Sequence, residues 1–309
     1  MTNFEGAYME EKWMLEKINK LALNDPSYLI NYVEDSFKNK VKKTIEYILE
    51  RKNSCKIILV SGPSSSGKTT FANMLCKYLE KAGIWAEILP LDNFYQGIKK
   101  VPRLEDGTKD FESIDGLDVN EIKKCLLEII KIGNTTIPTY DFSKMAPSKK
   151  KENIKLPDGG VLIMEGLHAI SPAITEGLAQ QSIIKIYINV KGGIRDEEGV
   201  FFPPKFIRLM RRIERDYKYR YTLPARTILM WQNVSRGEKL YVRPLRKFAD
   251  ISINSLHAYE PCVMAREALD LMKSVPKEID MNTFSDKLKQ FNWINENLVP
   301  KDSLLREFI

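Results

Sequence analysis

The sequence predicts an α/β protein built on a doubly wound parallel sheet. It carries a helical, arginine-rich insert and a helical extension ahead of the sheet. Three observations predict this. Short apolar, β-branched runs alternate with helical stretches from residue 56 onward. A glycine-rich turn follows the first such run and opens a helix. The alternation then breaks once, over residues 191–247, in a segment dense in arginine.

Taken in order, residues 8–52 read as helical. Leu29, Val33, Phe37, Val41, Ile45 and Ile48 recur every three or four positions, one stripe of a helix. Asp25 before Pro26 is an N-cap followed by proline at the first helical position, and an earlier helix is expected over residues 8–23. These helices are read as a packing extension, with partner binding as the alternative. At Lys56 the pattern changes. Residues 56–61 form a central parallel strand, and residues 69–83 a helix that stops at Gly83. A second strand is expected at 85–91, a helix at 119–131 closed by Gly133, and further strands at 160–165, 183–190 and 250–254. Residues 191–204 read as an irregular loop, 205–219 as a strongly basic helix, and 225–235 as a helix ending near Gly237. This insert lies between two strands, where a mobile lid attaches. The expected division is an extension at 1–52, a core at 53–275 with the insert at about 191–247, and a polar tail at 276–309 around Phe291 and Trp293 that packs on the core.

Composition narrows the function classes. Lys and Arg number 48 against 41 Asp and Glu, a mild excess of 48 − 41 = 7 that could serve nucleic acid, an acidic small ligand or only solubility. An apolar fraction of 43% excludes a disordered chain. Cys55, Cys76, Cys125 and Cys262 lack C-x-x-C spacing, which points to reduced thiols and a cytoplasmic location. Two histidines, His168 and His257, exclude a multi-histidine metal site. The start lacks a signal-peptide pattern, and the apolar runs at 57–60 and 161–164 are far short of a membrane span. The helical ends could mediate a homo-oligomer.

Gly62-Pro-Ser-Ser-Ser-Gly67-Lys68-Thr69 fits G-x-x-x-x-G-K-S/T in full, after a strand and before a helix. This makes the sheet one of the P-loop NTPase type. Glycine lets the backbone wrap a phosphate closely, and amide N–H groups at a helix N-terminus then face its oxygens. The expected ligands are ATP (or GTP) and Mg²⁺. Gly62, Ser64, Ser65, Ser66, Gly67, Lys68, Thr69 and Thr70 are the expected nucleotide contacts, with Lys68 on the β- and γ-phosphates and the Thr69 hydroxyl on the metal.

A nucleotide site alone does not make a kinase. Asp92 ends the second strand in LPLDNFY, where ligands of open α/β sheets bind, and is expected to be the base. Glu165 ends the apolar run VLIME, the pattern of a metal-shell carboxylate. Residues 110–115 and 140–142 remain open between acceptor contacts and turn or core roles. Arg208, Arg212 and Arg215 fall on one helical face, flanked by Arg211 and Arg220. Such a face suits a lid that stabilises charge in transfer. The alternatives are a solvated face paired with Glu214 and Asp216, or a nucleic-acid patch with Tyr217, Tyr219, Tyr221 and Trp231. The charge is local and no RNA-binding motif accompanies it, so nucleic acid is not expected.

In order, GPSSSGKTTFA, LDNFY, DGTKDFESIDGLD, IPTYDF, MEGLHAISPAIT, RLMRRIERDYKYR, MWQNVSRGE and VPKDSLLREFI resemble the uridine kinase and phosphoribulokinase family of P-loop kinases. The resemblance runs from about residue 55 to 309. It is nearest to the kinase part of long bacterial uridine kinase-like proteins, of which this chain reads as a shortened form. It implies that Asp92 is the catalytic base and that Tyr95, Glu112 and Tyr140 belong to the acceptor pocket, with Glu112 on ribose hydroxyls. It also implies lid and substrate roles for Arg212, Arg215 and Arg220, with Arg215 catalytic beside Lys68, and places Glu165 beside the metal. The chain departs from the pattern at Lys144 and Met145, where animal-type uridine kinases carry histidine, at Tyr221, where glycine is usual, and over residues 191–204. The expected activity is transfer of the γ-phosphoryl group to a small-molecule hydroxyl, the 5′-OH of a uridine- or cytidine-like nucleoside first. Alternatives are a kinase of another polyol or sugar phosphate, or a nucleotide-dependent RNA-binding regulator that transfers nothing.

Overall fold

The structure, a computed structural model, describes residues 12–309. The first helices are α1 (Leu15–Asn24) and α2 (Pro26–Glu50). They meet at Asp25, whose carboxylate accepts the Tyr28 N–H at 2.9 Å. The expected helix start at Tyr8 lies outside the described residues. Within them the helix begins at Leu15, because Met14 is bridged to Arg195. The α2 stripe from Leu29 to Ile48 is buried in the same apolar cluster as Phe71 and Ile186, so these helices share the core of the sheet.

β1 (Ile57–Ser61), α3 (Lys68–Lys81), β2 (Ala86–Pro90), α4 (Val119–Ile132), β3 (Asn134–Asp141), β4 (Ala146–Lys155), β5 (Val161–Glu165), α5 (Pro172–Thr175) and β6 (Ile183–Asn189) follow. Then come β7 (Ile194–Arg195), β8 (Val200–Phe202), α6 (Pro204–Arg220), α7 (Pro224–Gly237), β9 (Ile251–Asn254), α8 (Glu260–Met272) and α9 (Asn282–Leu288). The central sheet is parallel, in the order β2-β5-β1-β6-β9. Ile58, Val60, Ile163 and Ile186 face one apolar layer with Phe71 and Leu75; Ile57, Leu59, Leu162 and Tyr187 face the other with Leu126 and Ile129. Covering on both faces is what turns β1 and β5 into uninterrupted apolar runs. The chain leaves β1 toward β2 on one side and toward β6 and β9 on the other. The crevice at the carboxyl ends of β1 and β5 is therefore the switch point.

Two hairpins were not expected. β3 and β4 pair antiparallel, with register running from Asn134 opposite Lys155 to Asp141 opposite Ala146. β4 is polar and largely exposed, so no apolar alternation marks it, and only pairing with β3 makes it a strand. Residues 191–204, expected to be irregular, hold the β7–β8 hairpin, entered through Gly192 and Gly193 at φ 77° and 73°. Strands this short carry no readable period. The basic helix is also more enclosed than an exposed lid would be. Residues 207–216 of α6 are all buried. The four cysteines are unpaired, and among the described residues no helix is long and apolar enough to cross a membrane.

Candidate active site

β1 delivers the chain into the loop at residues 62–67, and α3 begins at Lys68. Gly62 presses against β6: a Cβ there would lie 2.0 Å from the Ile188 carbonyl oxygen. Ser65 and Gly67 take left-handed backbone at φ 58° and 87°, which turns successive amides inward. The Ser65 and Ser66 hydroxyls are buried and find no hydrogen-bond partner among the described residues. Buried donors without an acceptor fit a phosphate. Lys68 Nζ donates to the Pro63 carbonyl at 3.0 Å. Desolvation lowers its pKa, while Glu165, Glu307 and Asp92 act in the opposite direction. The Thr69 hydroxyl donates to Glu165 Oε1 at 3.1 Å. A hydroxyl beside a single carboxylate suits Mg²⁺, which prefers hard oxygens and takes the rest of its shell from phosphate and water.

Three arginines of α6 brace this loop from outside. Arg208 Nη1 donates to the Ser64 carbonyl at 3.0 Å, Arg211 Nη1 to the Ser65 carbonyl at 3.3 Å, and Arg212 Nη1 to Ser64 Oγ at 2.7 Å. Arg211 does not flank an exposed face as expected. It is fully buried, with Nε on Glu260 Oε2 at 2.6 Å and Nη2 on Oε1 at 2.9 Å. Arg208 also pairs with Glu238. Further along, Asp216 gathers Arg212 at 3.2 Å, Arg215 at 2.7 Å and Arg220 at 3.6 Å, and Glu214 pairs with Lys218 at 3.3 Å. Arg212 thus belongs both to the cluster around Asp216 and to the side of α6 that braces the loop.

On the other side of the crevice, Asp92 follows β2 at the carboxyl end of the sheet and is exposed. Gly166 lets this segment lie against the end of β5, since a Cβ there would meet Leu91 Cβ at 2.4 Å. Desolvation raises the Asp92 carboxyl, with Lys68 and Arg220 opposing. The Tyr95 hydroxyl donates to the Phe111 carbonyl at 3.1 Å, and its ring centre lies 5.8 Å from that of Tyr140. Asp92, Glu112 and Tyr140 all act on the Tyr95 hydroxyl, which desolvation pushes up. Asp92, Tyr95, Glu112 and Tyr140, four of the six residues nominated for the substrate, therefore lie near one another. Glu112 is pushed up to about 7 by desolvation, with Arg212 and Lys68 opposing. Two residues fix its place without having been nominated for it. His168 Nε2 donates to the Glu112 carbonyl at 2.8 Å, and Gly237 leaves room for its side chain, a Cβ there falling 2.2 Å from Glu112 Cβ. Asp110 is held beside it by the Tyr241 hydroxyl at 3.0 Å and Arg236 at 3.3 Å. Glu307, from the segment after α9, reaches Thr70 and was likewise not nominated. It lies in the segment VPKDSLLREFI, which carries part of the resemblance but gave this residue no role.

A phosphate loop facing a polar crevice across a parallel sheet defines a P-loop phosphotransferase. More narrowly, the chain belongs to the phosphoribulokinase / uridine kinase family, which it matches over residues 57–260. It is a kinase of small molecules, acting on a hydroxyl group. It is 30% identical over 196 residues to the uridine kinase of Mycoplasma genitalium, covering 63% of this chain and 83% of that protein. It is 28% identical over 198 residues to uridine-cytidine kinase B of Dictyostelium discoideum, covering 64% and 73%. Among solved structures, a candidate fructose transport system kinase of Silicibacter sp. TM1040 superimposes with a TM-score of 0.51 at 17% identity, covering 69% of this chain and 98% of that one. That last likeness concerns the fold.

Proposed function

We propose that the protein uses ATP and Mg²⁺ to phosphorylate the 5′-hydroxyl of a pyrimidine nucleoside. The observation that carries this reading is the position of Asp92. It is exposed at the carboxyl end of β2, within electrostatic reach of Lys68 and Arg220, and shares the Tyr95 hydroxyl's surroundings with Glu112 and Tyr140. The names of the relatives, uridine kinase and uridine-cytidine kinase B, support a nucleoside acceptor.

In this reading Glu112 accepts hydrogen bonds from the sugar hydroxyls, and the Tyr95 and Tyr140 rings flank the nucleoside. Asp92 takes the proton of the attacking hydroxyl, for which a raised pKa suits it. Lys68, Arg215 and Arg220 offset negative charge on the phosphoryl group as it moves in line. Thr69 and Glu165 would hold Mg²⁺, which would supply charge neutralisation at the phosphate oxygens when bound. Arg212, bonded to Ser64 and acting on Glu112, links the two halves of the crevice.

The test is ADP release with ATP, Mg²⁺ and separate acceptors: uridine, cytidine, other nucleosides, ribulose 5-phosphate and pantothenate. Turnover with pyrimidine nucleosides is the expected result. Turnover with ribulose 5-phosphate alone would move the acceptor to a sugar phosphate. No turnover with any of them, together with a salt-dependent RNA gel shift, would overturn the reading in favour of a binding protein.

A further inference from the structure

The match to the family ends at residue 260, yet a segment well beyond it touches the phosphate loop. Leu304 packs on Gly67, where an added Cβ would lie 2.6 Å from Leu304 Cδ1. Three residues on, Glu307 Oε2 accepts the Thr70 hydroxyl at 2.7 Å and the Thr70 N–H at 3.3 Å. The segment is firmly seated. Leu304, Leu305 and Phe308 are fully buried, and the Arg211 guanidinium lies 5.0 Å from the centre of the Phe308 ring. Ser303 Oγ donates to Glu34 Oε1 at 2.5 Å, and the Tyr219 hydroxyl donates to the Ile309 carbonyl at 2.8 Å. The placement of Glu307 is therefore set by packing against α2, α3 and α6.

Thr70 stands in the first turn of α3, whose N–H groups have no carbonyl partner within the helix. Those donors, with the positive end of the helix dipole, are what a phosphate loop offers to phosphate oxygens. Glu307 brings a carboxylate to that same place. It acts on Lys68 and Arg220, cations of the phosphate site, and on the carboxylate of Glu165.

We propose that Glu307 sets the affinity of the nucleotide site by competing with phosphate oxygens for the Thr70 N–H and hydroxyl. The inference rests on the nucleotide-binding reading of the phosphate loop. A bound nucleotide displaces the carboxylate by rotating one side chain, because Leu304, Leu305 and Phe308 keep the segment seated. The residue then tunes product release as well as binding, since ADP and ATP meet the same competitor.

Titration calorimetry on the full chain with Mg·ADP tests this. Glu307→Gln keeps the shape and removes the charge, and it is expected to bind ADP about tenfold more tightly than the parent chain. The gap should narrow as salt rises from about 0.05 to about 0.5 M, since it is electrostatic. Glu307→Asp, shorter by one methylene, should gain less in the same direction. Glu278→Gln, a change of equal charge at an exposed position outside the site, should change nothing. Thermal melting of each variant confirms folding. A folded Glu307→Gln chain that binds ADP as weakly as the parent, or more weakly, overturns the proposal. If the parent chain itself binds neither ADP nor ATP, the nucleotide reading falls first and the proposal with it.

Discussion

The Thr69 hydroxyl and Glu165 Oε1 lie 3.1 Å apart, joining the first turn of α3 to the end of β5 across 96 residues of sequence. The pairing needs β1 and β5 to be neighbours in the sheet, in the register that sets Val60 opposite Glu165. If the pair holds Mg²⁺, Thr69→Ala and Glu165→Gln should each raise the Mg²⁺ concentration needed for half-maximal turnover, by about tenfold or more. The acceptor KM at saturating Mg²⁺ should stay near the parent value. A magnesium titration of initial rates decides it, and an unchanged midpoint would remove Glu165 from the metal shell.

Asp92 carries the largest catalytic expectation. Asp92→Asn keeps size and polarity while removing the proposed base, and should lower kcat by roughly 10²–10⁴-fold with little change in melting temperature. Near-normal turnover in that variant would show that another group takes the proton.

Glu112 gives a pH dependence with a definite sign. Its carboxyl titrates near 7 in the folded chain, above its ordinary 4.5. It is protonated below that range and ionised above it. If it accepts sugar hydroxyls, as proposed, it works best ionised, so the acceptor KM should fall as pH rises from about 6 to about 8. Stability moves oppositely. Between about 4.5 and about 7 the folded chain holds a proton that the unfolded chain has released, so this group's contribution declines as pH rises across that window. Glu112→Gln should flatten both dependences, as read from KM–pH profiles and thermal melts.

His168 supplies the hydrogen bond that sets the Glu112 backbone, from a position only 4% exposed. His168→Leu should raise the acceptor KM about tenfold while leaving the ATP KM unchanged. His168→Gln, which can place an N–H near the same point, should recover most of the loss. Equal loss in both variants would reduce His168 to a packing residue.

Arg211 and Glu260 form a fully buried pair that also holds the Ser65 carbonyl. Truncating one partner leaves a charge in the core. Arg211→Ala should therefore lose roughly 3–5 kcal/mol of stability. A chemical denaturation midpoint measures this, and a loss under about 1 kcal/mol would mean that water reaches Glu260.

Much of this protein is written locally. Alternating apolar runs and helical stripes record burial on both faces of a sheet, and they marked each strand of the central sheet and the helices α1–α4, α6 and α7, but not α8. The phosphate loop is legible because left-handed backbone and close approach demand particular residues at fixed offsets, as at Gly62 and Gly67. Asp92 and Glu165 were legible because strand ends face the crevice. The sequence did not reveal which side chains would meet. α6 announces arginines at helical spacing, but only its enclosure sends Arg211 to Glu260 and Arg208 and Arg212 to Ser64. The β3–β4 hairpin was hidden because a solvated strand has no apolar period to read. Thr70 and Glu307 stand 237 residues apart, and no local pattern predicts a contact at that separation. Local propensity and burial period are properties of short windows of chain. Pairing between charged side chains depends on the packed geometry that brings their elements together, which is why the tertiary structure alone decided these partners.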